Sequence, residues 1–227
     1  MIEGAKVYLY KMIADDGGAT CVANELLSLA ICKPIIRAVA EPGSWIFGFS
    51  GVGLEESHGS LRLIYVARVD QRVSVSEYYA TGSSFADRGD CIYEWLKPNY
   101  RWKAGSLSCI NGAALSHDLG TIHDGFSRAT VLLSNYYRYF GRQGPIIADM
   151  QDDPLRLLLG QLTQGHRVNL GLEERKELDL VAVHAFTLPG QDTVRTSNNI
   201  DSCFENCETG IASDDDQLPR DYSKGCN

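Results

Sequence analysis

The chain has 227 residues, of which 44% are hydrophobic and 22% are charged, and its net charge at pH 7 is −8. This length and composition suit one well-buried domain with an appendage, and they exclude a fibrous or wholly disordered chain. From residue 172 onward there are 12 acidic and 5 basic residues, so residues 1–171 carry 17 acidic and 16 basic residues and a net charge of −1. A nearly neutral domain disfavours binding along duplex DNA through many phosphates, but it is compatible with one nucleotide or one flipped base.

The first third of the chain alternates short apolar runs with turn residues. Residues 6–13 predict a first strand, which ends in a glycine-rich turn, and the apolar residues 22–32 predict either a helix or extended structure. Pro34 suits the first turn of a short helix, because its missing N–H costs nothing there. Pro42-Gly43 then predicts a turn into a short aromatic strand over residues 44–49.

Residues 61–69 form the clearest predicted strand, because apolar side chains alternate along them. We expect Tyr65 to share the inward face of this strand with Leu61 and Leu63. A short helix ending at Tyr79 is predicted to begin at a serine cap, Ser74 or Ser76. Further strands are predicted over residues 91–96, 130–133 and 136–140.

The last third of the chain predicts two helices and a tail. Residues 155–162 and 172–186 have helical patterns, and Glu173 and Glu174 suit the N-terminal dipole of the second helix, so we expect both helices to pack on the sheet. From residue 189 the composition becomes polar and acidic. We therefore predict a domain over residues 1–188 and a flexible acidic tail over residues 189–227.

The sequence predicts a cytoplasmic location. It has no run of 18 apolar residues, and its first residues lack the basic and apolar regions of a signal peptide. The seven cysteines are an odd number without the spacing of a disulfide framework, so we expect reduced thiols. Cys203, Cys207 and Cys226 do not have the spacing of a zinc site.

An ordered set of motifs between about residues 6 and 171 carries a family resemblance. The motifs are Ala30-Ile31-Cys32-Lys33-Pro34-x-x-Arg37, Gly43-x-Trp45-x-x-Gly48, Leu61-x-x-Ile64-Tyr65-x-x-Arg68-Val69, Glu77-Tyr78-Tyr79, Gly89-Asp90-x-Ile92-Tyr93, Tyr139-Phe140-Gly141-x-x-Gly144-Pro145 and Gly165-His166-Arg167. In this order they resemble the second of the nucleotide modification associated domain families. That family occurs in phage and bacterial settings that involve modified DNA bases, and its name assigns no reaction.

The short helix, the Gly-x-Trp turn and the strands after it are also similar to base-reading barrels of the pseudouridine-synthase-and-archaeosine-transglycosylase-like (PUA-like) kind. This likeness implies an α+β fold with a small mixed or antiparallel barrel-like sheet and flanking short helices, and it is fold analogy only. One position departs from the family pattern, because Ser44 stands where a Gly-Asp-Trp sequence has an aspartate. A carboxylate role at that position is therefore absent.

Six residues are candidates for ligand contacts. Lys33 and Arg37 lie about one helical turn apart, so they face either a phosphate or base edge, or only solvent. Trp45 and Tyr93 stack on a base or belong to the core. His166 and Arg167 pair an imidazole with a guanidinium, which either holds a phosphate and moves a proton or clasps the last helix to the sheet.

Three residues are candidates for catalysis, namely Cys32, His166 and Asp90. A thiol beside Lys33 and a helix N-terminus has a lowered pKa, although a free cysteine is more commonly a packed core residue. His117-Asp118 and His123-Asp124 are too few to define a metal site, and they suggest a flexible loop. We therefore predict no metal and no cofactor.

Three functions remain open on the sequence alone. The first is a binding module for a modified nucleobase or nucleotide, including a flipped base or single-stranded nucleic acid, in DNA modification or phage defence. The second is an enzyme that transfers or hydrolyses a group on a nucleotide or base. The third is a regulatory protein whose acidic tail inhibits the domain or mimics nucleic acid. Motifs of ordinary NTPases, esterases and metalloproteases are missing.

Overall fold

A computed structural model describes residues 1–12, 15, 17–18, 20–51, 54, 61–96, 99–103, 112–120, 123, 125–126, 129–147, 154–162 and 166–189. The strands are β1 (Val7–Met12), β2 (Cys21–Ala23), β3 (Leu26–Leu29), β4 (Trp45–Ser50), β5 (Leu63–Arg68), β6 (Gln71–Ser74), β7 (Tyr93–Leu96), β8 (Asn99–Trp102), β9 (Thr130–Ser134), β10 (Tyr136–Tyr139) and β11 (His166–Arg167). The helices are α1 (Pro34–Val39), α2 (Val75–Tyr78), α3 (Gly112–Leu119), α4 (Pro154–Gln161) and α5 (Leu172–Thr187).

The described strands form three sheets. The first sheet has the order β10-β5-β4-β1-β11, in which β1 and β4 are parallel and the other pairs are antiparallel. The second sheet has the antiparallel order β2-β3-β9-β6, and β7 pairs with β8 alone. The α+β prediction with a mixed sheet and short flanking helices is therefore confirmed, while the described strands close no barrel.

Three apolar clusters hold these layers together. One face of the first sheet packs against α4 and α5 through residues that include Trp45, Phe47 and Leu178. The opposite face packs against the second sheet and α1 through residues that include Tyr8, Tyr10 and Leu29. The outer face of the second sheet is covered by α2, α3 and the β7–β8 hairpin. Since both faces of the first sheet are covered, its central strands β1, β4 and β5 are buried almost throughout, whereas the edge strands β10 and β11 are partly exposed.

Most predicted elements appear close to their predicted positions. Pro34 lies in the first turn of α1, and the Ser74 hydroxyl caps α2 by accepting a hydrogen bond from the backbone N–H of Glu77 at 3.2 Å. The open choice at residues 22–32 is decided by the β2–β3 hairpin, whose turn residues Asn24 and Glu25 have positive φ. The helices predicted over residues 155–162 and 172–186 correspond to α4 and α5, and both pack on the first sheet.

The C-terminal prediction is only partly covered, because residues 190–227 lie outside the described residues. The division into residues 1–188 and 189–227 therefore stays a prediction. Among the helices that the structure describes, none has the length and apolar character needed to cross a membrane.

The predicted face of Tyr65 is wrong, because β5 contains a bulge. Gly48 pairs with Tyr65 and Phe49 pairs with Leu63, so Ile64 is an extra residue on β5. The bulge reverses the alternation at this point. Leu63 consequently packs toward α4 and α5, whereas Tyr65 lies on the opposite face with Tyr10.

Gly48 allows the Tyr65 ring to lie across β4. A Cβ atom built on Gly48 would overlap Cε1 and Cδ1 of the Tyr65 ring and approach the Met12 sulfur to 2.8 Å. A glycine inside a strand often marks such a close approach. The missing side chain at Gly48 therefore sets where the Tyr65 phenol lies.

We expect Gly48→Ala to destabilise the protein by about 1–3 kcal/mol, because the buried methyl group would overpack against Tyr65. The matched variant is Gly160→Ala in α4, where an added Cβ meets no atom within 4 Å. Alanine should stabilise that exposed helical position by up to about 1 kcal/mol. Urea denaturation of both variants tests this, and equal unfolding midpoints would contradict the close approach at Gly48.

Candidate functional site

A row of cross-strand neighbours crosses all five strands of the first sheet. Tyr139 pairs with Tyr65, Tyr65 pairs with Gly48, Gly48 pairs with Tyr10, and Tyr10 pairs with His166. Directly paired residues point to the same face of a sheet. We call Tyr139, Tyr65, Gly48, Tyr10 and His166 the tyrosine row. It faces the second sheet and the turn before α1.

The phenols of the tyrosine row are buried and hydrogen-bonded. The hydroxyls of Tyr10 and Tyr65 lie 2.8 Å apart, above the space that Gly48 leaves open, and the Tyr10 hydroxyl is also 3.5 Å from Oγ1 of Thr20. The Tyr139 hydroxyl donates to Oδ1 of Asp15 at 2.6 Å. The three tyrosines and their partners Thr20 and Asp15 are each at most 3% exposed.

Burial keeps two of these phenols protonated. Desolvation raises the pKa of Tyr65 to about 12, and it raises the pKa of Tyr10 well above its ordinary value. Both hydroxyls are therefore neutral hydrogen-bonding groups near neutral pH. They are poorly suited to act as bases.

Two half-buried basic side chains lie at one end of the tyrosine row, His166 as its last member and Lys33 beside Tyr10. Nζ of Lys33 is 4.7 Å from the centroid of the Tyr10 ring, a cation–π contact, and the His166 ring lies 6.3 Å from the Tyr8 ring. Burial, and next the positive charge of Lys33, hold the pKa of His166 below its ordinary value. Lys33 and His166 thus act on each other electrostatically at the edge of one aromatic surface.

The turn that carries Lys33 has a strained backbone. Cys32 and Lys33 have φ values of 55° and 44°, the left-handed region, which non-glycine residues rarely adopt. Two consecutive residues in this region cost free energy, so surrounding contacts must fix the turn. Such strain is common where a chain presents a functional side chain.

A buried ion pair fixes this turn. Oδ1 of Asp118 accepts a hydrogen bond from the backbone N–H of Cys32 at 2.7 Å, and Nη1 of Arg37 lies 3.7 Å from the same carboxylate oxygen. The Tyr93 hydroxyl donates to Oδ2 of Asp118 at 2.9 Å. The guanidinium of Arg37 also donates to the backbone carbonyls of Cys32, Asp118 and Thr130.

Arg37 and Tyr93 are therefore placed to position the turn rather than to contact a ligand. Each is 1% exposed, and the donors of Arg37 are used on the protein itself. Arg37 does not share a surface with Lys33 as the helical spacing suggested, because Lys33 precedes α1 in a left-handed conformation. The sequence pattern predicted a direct ligand contact for Arg37 and Tyr93, whereas their described hydrogen bonds are with the protein itself.

Trp45 lies away from the tyrosine row. It is on the opposite face of the first sheet, where its ring packs edge-on against Tyr136 and Phe186, with centroid distances of 5.9 and 6.1 Å. It is 2% exposed. We leave Trp45 out of the site and assign it to the interface between the sheet and α5.

His166 and Arg167 also point to different faces. They are consecutive in β11, where His166 pairs with Tyr10 and Arg167 pairs with Leu9. Because side chains alternate along a strand, only His166 lies on the face of the tyrosine row. The two residues therefore do not form the joint phosphate clasp that their adjacency suggested.

Asp90 belongs to a second buried network. Its carboxylate lies 3.6 Å from Nε of Arg88 and accepts a hydrogen bond from the Tyr78 hydroxyl at 2.7 Å. Arg88 donates to backbone carbonyls of the β2–β3 hairpin at Cys21, Ala23 and Leu26. Burial raises the pKa of Asp90, and we assign this network to holding the hairpin.

The three catalytic candidates occupy different surroundings. Cys32 is 3% exposed and belongs to the apolar cluster on the outer face of the second sheet. Asp90 is part of the Arg88 network, and His166 lies on the edge strand β11 of the first sheet. Asp118, expected in a flexible loop, instead lies at the end of α3. Within the described ranges, no group of three or more His, Cys, Asp or Glu side chains is arranged to hold a metal ion, and Asp124 lies outside them.

Tyr10, Thr20, Asp15 and Tyr139 take part in the hydrogen bonds of the tyrosine row, and the sequence did not single them out. Gly48 was the available signal, because a glycine inside an aromatic strand indicates that another group approaches the backbone there. Pairing between distant strands then decides which group that is. A single sequence does not reveal this register.

Most of the chain matches a known protein family. The family model described as nucleotide modification associated domain 2 matches residues 4–180 of the chain. These residues include the tyrosine row, Lys33 and the ion pair of Arg37 and Asp118. The chain belongs to this family. No curated protein and no solved structure matches it. The resemblance noted from the motifs is thereby confirmed, whereas the likeness to PUA-like barrels finds no matching structure.

We expect Arg37→Lys to destabilise the protein by about 3 kcal/mol although it keeps the charge, because lysine lacks the planar fork that reaches the three carbonyls. The matched variant is Arg101→Lys, whose guanidinium pairs with Glu94 on the exposed β7–β8 hairpin. That change should cost less than about 0.5 kcal/mol. Urea denaturation measures both, and equal losses would show that Arg37 does not fix the turn.

We expect Lys33→Gln to raise the pKa of His166, because it removes a positive charge that disfavours the imidazolium. NMR titration of the His166 ring protons measures the pKa. Lys176→Gln, at an exposed lysine paired with Glu173 in α5, should leave it unchanged. An unchanged pKa in the Lys33 variant would place the ammonium out of electrostatic range of the imidazole.

Proposed function

We propose that this domain recognises a nucleotide or nucleobase, and that in DNA-modification or phage-defence settings the base is a modified one. The observation that carries the proposal is the convergence of Lys33 and His166 on the tyrosine row. The row across five strands ends at His166, and the Lys33 ammonium lies over the buried ring of its neighbour Tyr10. Family membership supports a role associated with nucleotide modification.

The chemistry of these groups fits one nucleotide. Lys33 supplies a positive charge and His166 supplies a group that donates or accepts a hydrogen bond, and both lie next to the buried rings of Tyr8 and Tyr10. An ammonium beside an imidazole suits a ligand that carries negative charge and hydrogen-bonding groups, as a nucleotide does. A small site of this kind also agrees with the near-neutral charge of residues 1–171.

The described contacts favour binding over catalysis. The phenols of Tyr10 and Tyr65 stay protonated, and Asp90 and Asp118 are engaged in buried hydrogen bonds that hold the backbone. Cys32 is packed in an apolar cluster. The residues around the tyrosine row are thus suited to hold a ligand, and recognition needs no further group.

We expect deoxynucleoside 5′-monophosphates, tested with unmodified and 5-substituted or N6-methylated bases, to bind the full chain and raise its Tm. Lys33→Gln should weaken the best ligand about tenfold or more, because a hydrogen bond to a charged group contributes about 1.5–3 kcal/mol. Isothermal titration calorimetry measures the Kd. Lys176→Gln is the matched loss of a lysine charge and should bind like the parent chain.

Two results would contradict this function. One is a panel in which no ligand at millimolar concentration shifts the Tm of the parent chain. The other is equal weakening by Lys33→Gln and Lys176→Gln, since that would indicate attraction by overall charge rather than a site at Lys33.

A further inference from the structure

We propose that Lys33 and His166 form a phosphate subsite, and that phosphate binding there places a proton on His166. The inference rests on the proposed function and names the ligand class, which is a nucleotide phosphate rather than a free base or nucleoside. The phosphate belongs to a mononucleotide or to a phosphodiester of single-stranded nucleic acid. The same two side chains recognise either source.

The geometry places both groups around one residue. The Lys33 ammonium lies over the Tyr10 ring at 4.7 Å from its centroid, and His166 is the direct cross-strand neighbour of Tyr10. Both side chains are half-buried, whereas the Tyr10 and Tyr65 phenols beneath them are fully buried. A ligand that reaches this place therefore meets the ammonium and the imidazole before it meets the phenols.

The position of Lys33 is fixed by the protein before any ligand arrives. Its backbone is held in the left-handed region by the contacts of Asp118 and Arg37 with Cys32. A preordered turn lowers the conformational entropy lost on binding. The ion pair of Arg37 and Asp118 thus affects ligand binding indirectly, because it fixes the backbone that carries Lys33.

The described charge that acts on the His166 imidazole is the ammonium of Lys33. In the described part of the chain, the titratable groups that face it are Lys33 and the phenols of Tyr8 and Tyr10. The pKa of each phenol is raised, so both are neutral near pH 7. The Tyr8 hydroxyl end lies near Glu41 and Arg72, which pair with each other.

An anion bound between Lys33 and His166 reverses which protonation state of the imidazole is favoured. Without ligand, burial and the Lys33 charge favour neutral His166. A bound phosphate favours the imidazolium, so the pKa of His166 rises on binding and a proton is taken up. Between the free and the bound pKa, affinity increases as pH falls, by up to about tenfold per pH unit for one proton.

The first experiment compares ligands with and without phosphate. We expect deoxynucleoside 5′-monophosphates, or dinucleoside phosphates with one phosphodiester, to bind at least tenfold more tightly than the matching nucleosides. Inorganic sulfate, which does not titrate between pH 5 and 8, should compete with them. Tighter binding of the dinucleoside phosphates would identify the source as single-stranded nucleic acid, and tighter binding of the monophosphates would identify a mononucleotide.

The second experiment counts protons. Calorimetry of the parent chain with a dinucleoside phosphate, in buffers of different ionisation enthalpy, should show proton uptake that His166→Gln abolishes. The diester has a constant charge in this pH range, so the proton is taken up by the protein. Lys33→Arg should keep most of the phosphate preference, whereas Lys33→Gln should lose it.

The outcomes separate this inference from the proposed function. Equal affinity for nucleosides and nucleotides, with Lys33→Gln still weakening both, would overturn the phosphate subsite and leave base recognition standing. Proton uptake that persists in His166→Gln would overturn the role of His166. Absence of binding by any nucleoside or nucleotide would overturn both.

Discussion

The hydrogen bond between the Tyr10 and Tyr65 hydroxyls is the interaction around which the first sheet is arranged. It joins β1 and β5 across the intervening β4, and it forms only because Gly48 has no side chain. The bulge at Ile64 is equally necessary, since it turns Tyr65 to the face of Tyr10. The strand that carries Tyr10 also pairs with His166, so this hydrogen bond connects the core of the sheet to its edge.

The two buried ion pairs have different tasks. Arg88 and Asp90 tie the β2–β3 hairpin to the residues after α2, whereas Arg37 and Asp118 tie the strained turn at Cys32 to α3 and β9. Buried ion pairs are costly to form and are weak evidence for stability. Both arginines instead donate to several backbone carbonyls, Arg37 to those of Cys32, Asp118 and Thr130 and Arg88 to those of Cys21, Ala23 and Leu26. Their main effect is therefore to fix local backbone conformation.

The fold could be predicted from the sequence further than the site. Alternation along residues 61–69, the Ser74 cap and Pro34 depend on neighbouring residues only, and these elements formed where predicted. Tyr65 was assigned to the wrong face because a bulge is decided by pairing with β4. The roles of Arg37, Tyr93 and Trp45 depend on contacts with α3, β9 and α5, distant in the chain. The residue types gave the polarity and size of these three side chains, but they did not give the groups that each side chain contacts.

The hydroxyls of Tyr10, Tyr65 and Thr20 form a short chain in which either oxygen of each hydrogen bond can be the donor. The order of donors along such a chain can be inverted by rotating the hydroxyl hydrogens, without moving any heavy atom. The buried hydroxyls of this sheet therefore stay hydrogen-bonded to one another in either order of donors, with no change in the packing around them. At the proposed site, the polar groups left to tell one ligand from another are then the half-buried side chains of Lys33 and His166, because the hydroxyls beneath them already bond to one another.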